Sequence, residues 1–127
     1  MKYLGKHTLI ELTDCDEAAL NNSELIESSM VNAAKESGAT VVSSHINHFN
    51  PYGISGVVVI AESHITIHTW PEYSYAAVDV FTCGSTVDSE KIMEIIARDL
   101  KAKHCKIDII NRGPWLPFQE PAKSYER

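Results

Sequence analysis

Cysteine is scarce in this chain of 127 residues: Cys15, Cys83 and Cys105 are the three, with no C-x-x-C pair. An odd, unpaired set argues against a disulfide framework and a zinc ribbon, and for reduced thiols in a reducing compartment. Long apolar runs are missing too. None approaches the eighteen or so residues of a membrane-spanning helix, and the opening MKYLGKHTLIELTDCDE has no continuous apolar core of the signal-peptide kind. The expectation is a cytoplasmic protein with no membrane partner. Basic runs are absent and the formal net charge is −6, so no nucleic-acid partner is expected, because phosphate contacts need Lys and Arg. An acidic surface suits a cationic small molecule instead. Neither G-x-G-x-x-G nor G-K-[ST] occurs, and GISG at 53–56 is too short for a G-x-S-x-G nucleophile elbow.

What is present is ordinary globular material, 44% hydrophobic and 22% charged, of the length of one domain. GKHTLIELT (5–13) reads as a first strand. A helix is expected from about Asn22 to Ser37, with Asn21 and Glu24 as a capping box, Gly38 as the stop, and Ile26, Met30, Ala33 and Ala34 facing inward. ATVVSSHINHF (39–49) is a strand closed by the turn NPYG (50–53). ISGVVVI, HITIHTW and YAAVDVFTCG (75–84) are further strands, and a turn around Pro71 and Glu72 precedes the last of these. A second helix fits 89–104, with Ile92, Ile96 and Leu100 in one row beside Met93 and Ala97, and CKIDIIN (105–111) is a last strand. No pattern assigns a role to the tail after Gly113. The fold class is therefore α+β, a two-layer sandwich with two helices on one face of a mainly antiparallel sheet.

The second face of that sheet is not a solvated one. In 64–70, Ile65 and Ile67 point one way and His64, Thr66, His68 and Trp70 the other; in 75–84, Ala77, Asp79, Phe81 and Cys83 alternate with Ala76, Val78, Val80 and Thr82. A mixed polar and aromatic face of this kind is most often packed on another sheet. A chain this short has none to offer, so a homodimer packed face to face, αββα, is expected, with a pocket at its interface.

Few constellations carry chemistry. His64 and His68 form H-x-x-x-H, but on a strand they lie roughly 13 Å apart at about 3.3 Å per residue, too far to share an ion, and the Glu of H-E-x-x-H is absent. No metal is expected. A Cys83–His68 pair leaves cysteine hydrolysis open on spacing alone. The join in VVVIAESHITIHTW (57–70) is odd in a different way: Glu62, Ser63 and His64 sit between two strand-like lengths without any Gly, Pro, Asn or Asp. Tight hairpin turns need positive φ, which those absent residues normally supply. Taken alone, a serine there is more often a hydrogen-bonded turn residue than a nucleophile.

The stretch PYGISGVVVIAESHITIHTWPEYSYAAVDVFTCG (51–84), with GKHTLIEL before Cys15 and ESGATVVSSHINHF upstream, resembles the prokaryotic S-adenosylmethionine decarboxylase proenzymes, the small pyruvoyl-dependent class. The likeness runs to about Asn111, and AESHITIHTWPE is its most specific part. It implies that the Glu62–Ser63 bond is broken by the protein itself, giving a chain 1–62 and a chain 63–127. Ser63 Oγ would attack the Glu62 carbonyl, an ester would form, β-elimination would expel the Glu62 carboxylate, and hydrolysis would leave a pyruvoyl group at position 63. By the same resemblance His68 is the processing base, Ser55 supports that step, and Cys83 donates a proton during turnover. The pyruvoyl ketone would hold the substrate, S-adenosylmethionine, as a Schiff base, and the product would serve spermidine synthesis. Phe49 and Trp70 are candidates for stacking on the substrate's cationic and aromatic parts, and Glu72 for its ribose hydroxyls, the plain alternative being interface packing or a solvated turn acid. The nearest rivals are pyruvoyl-dependent arginine or ornithine decarboxylation and, from another class, a dimeric binding module with a merely structural Ser63. One tension remains: Ser63 and His68 are five residues apart, so on a regular strand they face opposite sides, and either a bend after Ser63 or a distorted turn is needed to join them.

Overall fold

Alternation decides the architecture. A computed structural model describes residues 3–83 and 87–113, and in it six strands form one antiparallel sheet. They are β1 (Gly5–Thr13), β2 (Val41–His48), β3 (Ile54–Ile60), β4 (Ser63–Trp70), β5 (Tyr75–Thr82) and β6 (His104–Arg112), in the spatial order β2-β3-β4-β5-β1-β6. Their even spacing of apolar residues places Ile10 and Leu12, Ile54 and Val58, Ile65 and Ile67, and Val78 and Val80 on one side, where every one is buried. Two helices cover that side, α2 (Ser23–Glu36) and α3 (Ser89–Leu100), and pack on each other. Ile26, Met30, Ala33 and Ala34 from α2 and Ile92, Ile95, Ile96 and Leu100 from α3 complete a single core. Gly56 belongs to it by default of size: a Cβ there would collide with the Ile46 side chain.

The expected α+β class and the inner rows of both helices stand as found, with local corrections. A short helix α1 (Glu17–Leu20), capped by Asp16, was not anticipated. Asn22, not Asn21, caps α2, its side chain accepting from Leu25 N. The α3 helix ends at Leu100 rather than 104, because Lys101 takes a left-handed φ of 57° and turns the chain back toward β6. Only then can Lys103 N–H reach Thr13 O and His104 open the ladder with β1. Likewise β5 stops at Thr82, short of Cys83 and Gly84, the latter lying outside the described residues.

Among the described residues, the other face of the sheet carries no helix. His7, Phe81 and His64 form one row across β1, β5 and β4, His64 stacked on Phe81 at 5.8 Å and His7 edge-on at 5.9 Å. The next rows hold Val57, Thr66, Asp79 and Leu9, then Ser55, His68, Ala77 and Glu11. No helix among the described residues is long and apolar enough to cross a membrane.

Candidate active site

The Glu62–Ser63 join is a two-residue turn. Ile60 and Ser63 still pair, so only Ala61 and Glu62 lie between β3 and β4. Glu62 has φ 60°. Positive φ at the second central position is the type II turn pattern, where Gly or Asn is usual because a side chain is disfavoured. A glutamate there carries strain on the order of 1–3 kcal/mol, and it sits on the residue whose carbonyl precedes Ser63. The missing turn-former thus has a structural counterpart: the join is built against local preference.

Ser63 opens β4 on the helix-covered side, in the row of Ile65 and Ile67. Its Oγ accepts a hydrogen bond from Cys83 N–H at 3.4 Å. That contact draws the end of β5 to the start of β4 and places Cys83 beside Ser63. A cavity of about 190 Å³ lies over them, lined among others by Thr40, Glu62, Ser63, Thr82, Cys83 and Val87. Sites for drug-sized ligands run from about 300 Å³ upward, so this cavity alone falls short of one.

His68 is elsewhere. The β4–β5 ladder runs without a break from His64↔Phe81 to Trp70↔Tyr75, so no bend re-aims Ser63 or His68. Five residues of regular strand separate the two by roughly 17 Å at about 3.3 Å per residue, on opposite faces. His68 is paired across the ladder with Ser55, and the two residues share one concavity on the open face. At the far end of β4, Phe49, His68, Trp70 and Glu72 line a second cavity of about 210 Å³. Trp70 stacks on Tyr75 at 5.3 Å and lies 6.3 Å from the His68 ring. The eight candidate residues therefore fall into two groups, Glu62, Ser63 and Cys83 at one end of β4, and Ser55, His68, Phe49, Trp70 and Glu72 toward the other.

Two latches hold the second group. Asn21, freed from capping, accepts from His48 Nε2 at 2.9 Å and from Gly53 N at 3.0 Å, so it ties both ends of the Phe49–Tyr52 loop to α1. Thr69 Oγ accepts from Ile54 N and donates to Leu20 O. Neither role was foreseen; the doubled Asn21-Asn22 was the available signal. Nearby on the open face, the Tyr75 hydroxyl donates to Glu11, and burial together with that carboxylate pushes the phenol up to about 12. Among the described residues no group of three His, Cys, Asp or Glu side chains could hold a metal ion.

With this geometry in place, known proteins can be compared. The S-adenosylmethionine decarboxylase family matches residues 6–113. An S-adenosylmethionine decarboxylase proenzyme of Thermotoga maritima is 51% identical over 128 residues, covering 98% of each chain. One from Caldicellulosiruptor saccharolyticus is 50% identical over 123 residues, 97% of each. In three dimensions the adenosylmethionine decarboxylase of Aquifex aeolicus superposes with a TM-score of 0.81 at 35% identity, over 99% of this chain and 100% of that one. On sequence and on fold alike, this chain belongs to the S-adenosylmethionine decarboxylase family and is an enzyme.

Proposed function

We propose that this chain is a proenzyme that cuts itself between Glu62 and Ser63 and then, as a homodimer, removes the carboxyl group of S-adenosylmethionine at a site shared by two copies. The observation that supports the shared site is the division just described: Ser63 and Cys83 at one end of β4, His68 and Ser55 toward the other, on opposite faces. A twofold dimer adds a second copy of each group, and partner residues reaching round the end of β4 would complete the cavity at Ser63. The uncovered face, with Val59 and Trp70 exposed and an apolar and aromatic character, is the surface such a partner would bury.

Cleavage needs no outside reagent but water. Ser63 Oγ adds to the Glu62 carbonyl carbon as its proton passes to the imidazole of His68 from the second copy. The C–N bond breaks, nitrogen takes a proton, and an ester links Glu62 to Ser63. The base then removes the Ser63 α-proton, the Glu62 carboxylate leaves, and water hydrolyses the residual enamine with loss of ammonia. Imidazole suits both proton transfers because its ring nitrogen can accept a proton and release it again, and the strained Glu62 favours departure from the ground state.

The residues at the join fit a pyruvoyl group formed there: the position is capped by a backbone N–H and open to a cavity. When formed, that group supplies an electron sink for the electrons released with CO₂. The chain's own residues do the rest. Cys83, whose backbone N–H already contacts Ser63, delivers a proton from its thiol. Phe49 and Trp70 offer faces to the adenine and the sulfonium, and Glu72 accepts from the ribose hydroxyls. The product, decarboxylated S-adenosylmethionine, is an aminopropyl donor suited to spermidine synthesis.

Intact-mass measurement of purified active protein tests this reading. It expects chains 1–62 and 63–127, the latter trapped on substrate by borohydride, and faster turnover of S-adenosylmethionine than of arginine or ornithine. Active material consisting only of full-length chain would overturn it.

A further inference from the structure

Thr82 is the last residue of β5, one step beyond the final paired position His64↔Phe81, and it lines the same cavity as Ser63. It is 2% exposed, and its Oγ1 has no hydrogen-bond partner among the described residues. A buried hydroxyl left unpaired is destabilising, and valine would fill the same space without that penalty. Thr8, Ser29 and Ser89 also carry unpartnered buried hydroxyls, but none of them lines this cavity.

We propose that the Thr82 hydroxyl is a hydrogen-bond donor for self-cleavage, stabilising the oxyanion created when Ser63 Oγ adds to the Glu62 carbonyl. The inference rests on the self-cleavage reading above. In that step the carbonyl π electrons move onto oxygen while the serine proton goes to the base, so negative charge develops beside a donor that has nothing else to bond. Thr82 gives a hydrogen bond and keeps its proton. It is a donor of the kind that lowers barriers to acyl transfer, worth about 10²–10³-fold in rate. Before cleavage the hydroxyl idles, which is why it is unpaired in the precursor.

The test is the rate of appearance of chains 1–62 and 63–127 from freshly folded precursor, read on denaturing gels. Thr82→Val should slow cleavage about 100-fold, the lower end of that range, and Thr82→Ser should restore it. Thr8→Val, which removes a like hydroxyl from the same sheet face, should cleave as the wild type does. In a Ser63→Ala background, which holds the chain uncut, Thr82→Val should melt no lower than its parent, separating a lost donor from lost packing. Wild-type cleavage rates in Thr82→Val, an equal defect in Thr8→Val, or no rescue by serine would each overturn the proposal. Should Thr82→Val not fold, Thr82→Ala carries the same comparison. A wild-type chain that never cuts would refute the self-cleavage reading itself, a distinct outcome.

Discussion

The two faces of this sheet are made by the same strands and divided only by the parity of their residues, yet they meet different demands. On the covered face Ile65, Ile67, Val78 and Val80 are fully buried under α2 and α3. On the open face the neighbouring positions, His64, Thr66, His68, Ala77 and Asp79, hold polar, aromatic and small groups with no layer above them among the described residues. The first face is finished within one chain. The second has the mixed polar and aromatic composition on which the proposed dimer rests, and it carries Ser55 and His68. The candidate chemistry is thus divided by strand parity, with Ser63 on the covered side and His68 on the open side.

The sharpest way to break that comparison is complementation. A Ser63→Ala chain keeps its His68, and a His68→Ala chain keeps its Ser63; neither should cut alone. Refolded together, random pairing puts about half of the His68→Ala chains in mixed dimers, and those chains should be cut while the Ser63→Ala chains stay whole. Denaturing gels of the mixture read this all-or-none effect. If nothing is cut, His68 works within its own chain and the shared site is wrong.

Next come substitutions confined to one face. Ile67→Ala, on the covered side, should cost about 2–5 kcal/mol through the cavity it leaves, at any protein concentration. Val59→Asp, on the open side at 37% exposure, should leave the monomer folded but shift sedimentation from dimer to monomer and stop cleavage with it. Equal loss of the fold in both variants would erase the distinction between faces.

How much of this was readable beforehand follows the same division. Parity is local, so the inner rows and the unusual outer face could be written down from HITIHTW and YAAVDVFT alone. The join stood out because Glu62-Ser63 occupied a turn without a turn-former, and Glu62 indeed takes a left-handed φ. Register is not local. That Thr82 lines the same cavity as Ser63, and that Cys83 N–H reaches Ser63, depends on how β4 aligns with β5. The helix ends misled for a related reason: Lys101 stops α3 without a glycine because the following chain must meet β1. Of the adjacent Asn21 and Asn22, which one caps α2 was decided by the distant Gly53 and His48, which claim Asn21.

That claim makes a smaller prediction. Asn21→Ala leaves Gly53 N–H without its acceptor and loosens the loop bearing Phe49, a loss of about 1 kcal/mol. KM should rise about 5-fold on that figure, with kcat and the extent of cleavage little changed, because the join is at the other end of β4. Steady-state kinetics on fully cleaved enzyme checks it; a fall in kcat at constant KM would detach the loop from substrate binding.

The smallest effect is a pH dependence on the covered side, where Cys15 lies within the core. Burial first, then the nearby Cys105 and Asp14, push its thiol from 9.0 up to about 11. The folded chain therefore holds this proton after the unfolded chain has released it. Stability falls with pH wherever the unfolded state binds fewer protons, so Cys15 contributes in full below pH 9 and its contribution disappears as pH rises through about 11. Melting temperature should decline over that interval, and Cys15→Ala should decline less steeply from a lower start. The open-face Tyr75, raised from 10.0 to about 12, titrates with the same sign but later, so a Tyr75→Phe variant should keep the earlier decline and lose the later one. If Cys15→Ala leaves the earlier decline unchanged, the thiol is not the group being titrated, and the two faces cannot be told apart by pH.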